Sequence, residues 1–508
     1  MTKGPTASLY PSVRTSTWVV LWTIALVSRL AAALLLPNAE QDGYSYAEII
    51  ARWSTDLSGG HFRLADLFGF WLPLFPLAAA IPNIWIGNPL LVGKIFSALC
   101  GATTCLLVFA IARALTRNFA IAALSFAILV SSPLHILYSA ACMTDVPAGC
   151  LILASLWFVL QKRWLAAAIF GALAEGVRME SWALIIVLPA LQLAYERRIS
   201  MLCLAILLFP LLAWLDVSQL ATGDPLAYFA KRARYQASYM DFYPTRHGFT
   251  FCDVRQDLGY FLLGANRGVV LASITAGIWS ILRLMQRHKR LPFALAATLG
   301  YVAALGGLIA LAYLTKGQPV LLPRYGLILF GLGLPLFGWL LGHSLQSSQP
   351  SWILKLISAA AIFICFWEAK RQVPTISKVF ADYRAHREIA GALARAFQQS
   401  PHSEKRCFSD DTAVRVLSQL RADRFVRSES APISAWHGVT SFESYLRQNH
   451  VGYLVFINVE NSLPAKLYSD LGRHDQADSG IFQFMAVAFS PFGPDVWLYR
   501  VRNAELSQ

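Results

Sequence analysis

Apolar residues along the chain gather into eleven long runs separated by short polar connections. They are Trp18–Leu36, Leu91–Ala112, Phe119–Ser131, Val146–Leu160, Trp164–Val177, Trp182–Tyr195, Met201–Val217, Arg267–Leu284, Phe293–Leu314, Leu322–Leu341 and Trp352–Trp367. Each is near the ~20 residues that a bilayer-crossing helix needs, or is shorter and completed by its flanks. The pattern predicts a polytopic α-helical membrane protein of about eleven spans. Alternate connections are basic: Arg113 and Arg117, Lys162 and Arg163, Arg197 and Arg198, then Arg283, Arg287, Lys289 and Arg290. Cytoplasmic loops collect Lys and Arg, so the N-terminus is expected inside and the C-terminal part outside. Phe70–Ile86 is also apolar, but Pro73, Pro76 and Pro82 remove backbone donors and kink a helix. It is expected to be re-entrant or to lie at the surface, because a further span would turn the basic loops outward.

Two connections have the spacing of amphipathic helices. After Asp42-Gly43, the residues Tyr46, Ile49, Ile50, Trp53 and Leu57 recur on one side, with Glu48, Arg52 and Asp56 on the other. Further on, Asp224-Pro225 is a good helix-opening pair. The stripe Leu226, Phe229, Ala233, Ala237 and Met240 follows it. Such helices lie in the head-group plane.

The pattern changes after Trp367, which divides the chain into a membrane domain (1–369) and a C-terminal soluble mixed α/β domain (370–508). In the second domain the helical stretches Ile376–Phe397 and Asp411–Leu420 alternate with strand-like CFS, RFV, GYLVFINV, FQFMAVAF and VWLYRV. Only 14% of the 508 residues are charged, against about a quarter in soluble domains. The tail holds 17 Lys+Arg against 14 Asp+Glu, so most of the +14 net charge sits in the membrane part. That favours lipid head groups or phosphate as partners over nucleic acid. The eight cysteines show no CxxC and no metal-ligand spacing. Cys252 and Cys407 are the one pair considered for a disulfide.

Ionisable residues at the ends of apolar runs are the candidate chemistry, since charge near a bilayer is costly and mostly functional. Asp42, Asp145, Arg178, Glu180 and Arg324 are all expected on the outer face. Asp42 and Asp145 are candidate general bases, or simply helix N-caps. Arg178 with Glu180 would bind and orient an anionic substrate, or neutralise one another. Arg324 would hold a phosphate through paired hydrogen bonds, or snorkel to head groups, with Tyr325 beside it. His61, His135 and His247 share that face without metal-ligand spacing.

In their order, these motifs resemble polyprenyl-phosphate-sugar-dependent glycosyltransferases of the C fold class (GT-C), especially protein O-mannosyltransferases and aminoarabinose–lipid A transferases. The resemblance rests on Asp42 in QDGYSYAEIIARW, the Trp/Pro-rich WLPLFPL, Asp145 in MTDVP and the Arg324-Tyr325 pair, and covers Trp18 to about Leu341. Gln41-Asp42 stands where the O-mannosyltransferases have Asp-Glu. The resemblance implies a lipid-linked sugar donor as co-substrate, and an acceptor that is a lipid, glycan or protein. It also implies an inverting displacement with Asp42 or Asp145 as base and Arg178 and Arg324 on the phosphate, in a bacterial inner membrane. No metal ligand is assigned, and a divalent cation is left open. The alternative is a transporter or lipid flippase, since intramembrane charges also mark translocation paths.

Overall fold

The structure, a computed structural model, describes residues 14–242, 251–285, 291–315, 321–346, 352–399, 405–459, 462–468, 470–472, 480–490 and 495–502. The chain forms two compact units. The first comprises Met1–Leu36, Ile49–Ala233 and Phe249–Pro374; the second comprises Pro37–Glu48, Arg234–Gly248 and Thr375–Gln508.

The first unit is helical. Its elements begin with α1 (Thr15–Leu35), α2 (Gln41–Ser58), α3 (Leu74–Ile86), α4 (Pro89–Thr116), α5 (Phe119–Val130), α6 (Pro133–Ser139), α7 (Asp145–Leu160) and α8 (Trp164–Glu175). They continue with α9 (Leu184–Glu196), α10 (Met201–Thr222), α11 (Ala227–Phe242), α12 (Phe251–Ala265), α13 (Arg267–Met285), α14 (Phe293–Leu314), α15 (Pro323–Gln346) and α16 (Trp352–Gln398). All eleven apolar runs lie in helices. Among the described residues seven helices are long and apolar enough to cross a membrane, or eight if α5 and α6, bent by 64°, count as one broken span. α3, the Pro-rich segment, has 13 residues, about 20 Å of helix, which is short of a hydrocarbon core. It stops at Gly87 in the left-handed conformation (φ 69°), and Asn88 then caps α4. α12 occupies a stretch where the periodicity predicts no helix.

Between lipid-immersed helices, close packing of small residues replaces the hydrophobic effect. α15 is almost wholly enclosed, against α4, α5, α7, α12, α13 and α14. Its crossing with α12 is made by backbone. A Cβ on Gly264 would lie 1.7 Å from Pro323 O, and one on Gly326 would lie 2.4 Å from Ala265 N. This contact fixes Arg324 and Tyr325, which sit between Pro323 and Gly326.

The break between α5 and α6 leaves helix-end carbonyls inside the bundle, where they need donors. Arg29 supplies them. It is fully buried, and its guanidinium donates to Leu129 O (2.9 Å) and Val130 O (2.6 Å). Its Nη2 also lies 2.9 Å from His135 Nδ1. A guanidinium only donates, so Nδ1 is the acceptor and the imidazole proton is on Nε2. His135 is therefore part of this strut. His61 is exposed, and His247 lies outside the described residues.

The second unit is built on a five-stranded sheet of order β2-β1-β3-β5-β4. Its strands are β1 (Arg406–Ser409), β2 (Phe425–Val426), β3 (Val451–Ile457), β4 (Phe482–Ala488) and β5 (Val496–Val501). β1 pairs in parallel with β2 and β3, while β5 is antiparallel to β3 and β4. β3 is buried along its whole length, as expected of a continuously apolar strand covered on both faces. Leu454 and Phe456 pack with Phe442 and Leu446 of α18 (Val439–Gln448), the helix after α17 (Thr412–Leu417). Tyr453 and Val455 pack on the other side with Ala385, Ile389 and Leu393 of α16. α16 has 47 residues, about 70 Å of helix, more than twice a bilayer's hydrocarbon thickness. Its apolar part ends at Trp367, and its later turns, Ala385 to Ala396, back the sheet. α19 (Leu463–Leu467) completes the unit. Cys407 is buried in β1, Cys252 is exposed in α12, and both are free thiols, so the pair considered for a disulfide does not form one.

Candidate active site

Asp145 is the first residue of α7, with Pro147 in the opening turn, where its missing N–H costs nothing. Thr144 precedes it as N-cap without a side-chain cap hydrogen bond. α8 ends at Glu175, and Gly176 O accepts from Leu74 N of α3 at 3.0 Å. The chain then becomes extended at Arg178 and closes one 3-10 turn over Met179–Ala183.

This path turns Arg178 onto the head of α7. Its Nη1 lies 2.7 Å from Asp145 Oδ1 and 3.3 Å from Thr144 Oγ1. Its Nε and Nη2 fork the Glu180 carboxylate at 3.1 and 2.8 Å. The side chains of Asp145, Arg178 and Glu180 are 0%, 11% and 13% exposed, so little water screens them. Burial works to raise the Glu180 carboxyl, but Arg178 overrides it and holds the group below the ordinary carboxylate range. One guanidinium thus serves two carboxylates and leaves a net charge of −1. Arg324 is buried too, and Arg232 adds a second positive charge that acts on Glu180. Both arginines sit over the Tyr325 ring, with Cζ 5.3 Å (Arg178) and 5.4 Å (Arg324) from its centroid, within cation–π range. Asp145 Oδ2 is buried and accepts no hydrogen bond among the described residues. Asp145, Arg178, Glu180, Arg324 and Tyr325, spread over 181 positions, therefore form one buried cluster.

Asp42 belongs to the second unit. It stands half-buried in the first turn of α2, where a carboxylate suits the helix dipole. The turn is fastened on both sides. Glu48 takes a two-point bond from Arg415 (2.7 and 3.1 Å) and a further contact from Arg427 at 3.3 Å. The Gln41 amide donates to Asp411 Oδ2 at 3.5 Å. His386 donates through Nδ1 to Asp382 O (2.8 Å) and through Nε2 to Asp411 Oδ2 (3.0 Å). Burial alone would lower the imidazole, yet Asp411 and Asp382 push it up to about 9. Asp411 likewise resists burial and is held low by the imidazolium. Among the described residues no group of His, Cys, Asp and Glu is arranged to hold a metal ion.

No protein-family model and no curated protein sequence matches the chain. Among solved structures it is similar to ArnT from Cupriavidus metallidurans bound to undecaprenyl phosphate, with TM-score 0.56 and 14% identity over 97% of this chain and 100% of that one. The apo state of that ArnT gives TM-score 0.57 at 14% identity, over 96% and 98%. This chain has an ArnT-like fold. Archaeal oligosaccharyltransferase AglB from Archaeoglobus fulgidus, in complex with an inhibitory peptide and a dolichol-phosphate, is also similar, at TM-score 0.49 and 12% identity, over 97% of this chain and 75% of that one.

The ArnT-like bundle also buries ionisable residues that the sequence reading passed over. Lys94 donates to Leu36 O at 2.7 Å, placing a cation at the C-terminus of α1. Glu175 is fully buried, and among the described residues neither carboxylate oxygen is hydrogen-bonded. Glu368 is buried between Arg267 and Arg371. The signal was present, since each is a charge inside or beside an apolar run. Averaged hydropathy hides it.

Proposed function

We propose that the protein is a membrane glycosyltransferase that moves a sugar from a polyprenyl-phosphate donor to a lipid, glycan or protein acceptor. The reaction would take place on the extracytoplasmic side of a bacterial inner membrane, with the second unit outside. The observation that carries this reading is the buried ionic cluster of Asp145, Arg178 and Glu180 with Arg324 beside it at Tyr325, on a fold similar to an undecaprenyl-phosphate-binding ArnT. Arg178 spends all three guanidinium nitrogens on protein partners. That makes Arg178 the residue that orients Asp145, and Arg324, buried beside the same Tyr325 ring, the candidate for the phosphate.

In the proposed step an acceptor hydroxyl or amine attacks the anomeric carbon from the face opposite the phosphate. The bond from that carbon to the phosphate oxygen breaks, polyprenyl phosphate leaves with the electron pair, and the acceptor's proton passes to Asp42 or Asp145. Fixed cations aimed at the developing phosphate charge lower the barrier without reorganising. The test is transfer by purified protein from a panel of polyprenyl-phosphate sugars, repeated with Asp42→Asn and Asp145→Asn. Loss of transfer in one folded variant, with the donor still bound, supports the reading and identifies the base. Full activity in both removes carboxylate catalysis from it.

A further inference from the structure

α12, α13 and α16 line an open cavity of about 430 Å³ in the first unit. Three arginines line it: Arg255 on α12, Arg267 at the head of α13 and Arg371 on α16, joined by Gln256, Gly259 and Tyr260. The helices meet by backbone at its floor, where a Cβ on Gly268 would lie 2.4 Å from Ala361 O. Among the described residues one acid pairs with the group. Glu368 is 1% exposed and pairs through Oε1 with Arg267 and, at 3.2 Å, with Arg371. Arg255 is exposed and has no ion pair among the described residues. The cavity therefore keeps two positive charges in excess.

Three features define what would fit. First, the N-terminus of the 19-residue helix α13 adds its partial positive charge beside Arg267. Second, the cavity sits at a polar–apolar boundary: Arg267 opens one apolar run, and Arg371 lies one turn past Trp367, which closes another. Below it, Ile274, Ile278 and Ile281 of α13 and Phe363 and Phe366 of α16 are exposed, a wall suited to acyl or isoprenyl chains. Third, this is the end of the bundle opposite the four basic loops, so topology does not account for the arginines.

We infer that this cavity is a binding site for the phosphate-bearing head group of a membrane lipid, separate from the cluster at Asp145. Arginine forks take phosphate oxygens in pairs, and Glu368 holds two of the forks in place. The inference rests on the membrane fold and stands whether or not the protein transfers sugars.

The experiment is native mass spectrometry of the full chain released from nanodiscs containing phosphatidylethanolamine, phosphatidylglycerol or undecaprenyl phosphate. Arg255→Gln and Arg255→Gln/Arg371→Gln would be compared with the wild type. An interfacial arginine contributes about 1 kcal/mol toward an anionic lipid, or roughly fivefold in affinity. The single variant should lose about fivefold and the double variant more, with phosphatidylethanolamine unaffected. Loss for undecaprenyl phosphate alone would identify a polyprenyl ligand, and loss for both anionic lipids a general anionic head-group site. Either result supports the site. Arg255 touches no other described ionic group, so its replacement leaves Glu368 partnered and keeps the test informative if the double variant fails to fold. Unchanged retention of both anionic lipids in the single variant overturns the proposal.

Discussion

Replacing Arg178 with Met would leave Asp145 and Glu180 buried without the guanidinium that hydrogen-bonds to both. Arg178 reaches Asp145 at 2.7 Å and forks Glu180 at 3.1 and 2.8 Å, in a site where no participating side chain is more than 13% exposed. Removing one partner of a buried pair costs about 3–5 kcal/mol. Two stranded carboxylates put Arg178→Met at the upper end, unless they protonate. In the wild type Glu180 is held below its ordinary range, so its contribution is present at neutral pH and fades as pH falls through that depressed value. In the variant burial acts on Glu180 without the Arg178 guanidinium to oppose it, so lowering the pH favours its folded state. The stability gap should therefore be about 4–5 kcal/mol at pH 8 and narrow steadily toward pH 5. Thermal unfolding in nanodiscs across that range measures it. Asp145→Asn/Arg178→Met/Glu180→Gln, which removes all three charges, should regain most of the lost stability and none of the transfer activity. A pH-independent gap, or no gap, would show that the three side chains are not a buried ionic unit.

Other perturbations separate the remaining parts of the account. Arg29→Leu strands the Val130 carbonyl inside the bundle and leaves Leu129 O and His135 Nδ1 with only the longer bonds from Ser132 N (3.2 Å) and Ser139 Oγ (3.4 Å). At about 1–3 kcal/mol for each unsatisfied group, the melting temperature should fall sharply, and an unchanged value would remove Arg29 as the strut of the α5–α6 break. Gly264→Ala places a Cβ where Pro323 O stands, while Gly307 has nothing within 4 Å; only the first should lower both stability and turnover, and equal tolerance of both would contradict a backbone contact. His386, pushed up to about 9 by Asp411, gives stability that is complete below its unfolded value near 6.5 and is lost as pH rises through about 9. His386→Gln should therefore destabilise the second unit at pH 6 and make little difference at pH 10, read by hydrogen exchange along β1 and β3 of the full chain.

The fold was largely legible because its two periodicities are strong. Runs of lipid-facing residues located the bundle, and GYLVFINV, FQFMAVAF and VWLYRV located the sheet with little error. α12 was missed because Asp253, Arg255, Gln256 and Asp257 break up its apolar stripe. The site was half legible. A charge beside an apolar run marks its own cost, which pointed to Asp145, Arg178 and Arg324. Which charges meet is set by contacts far apart in sequence, such as Arg29 with Val130 or Gln41 with Asp411. No local pattern encodes them. The fastening of the Asp42 turn by Glu48 and Arg415 was invisible for the same reason, being a pair 367 positions apart.

The most direct test of the central claim is a paired measurement on purified protein in nanodiscs loaded with a polyprenyl-phosphate sugar. Release of free polyprenyl phosphate and appearance of glycosylated acceptor are followed together in the wild type and in Arg324→Gln. The account expects the two products in equal amounts with inverted anomeric configuration, and a fall of about 10²–10³-fold in turnover for the variant, as when one charge-stabilising donor is lost. Donor lipid that crosses the bilayer with its sugar intact, at the same rate in both proteins, would contradict it.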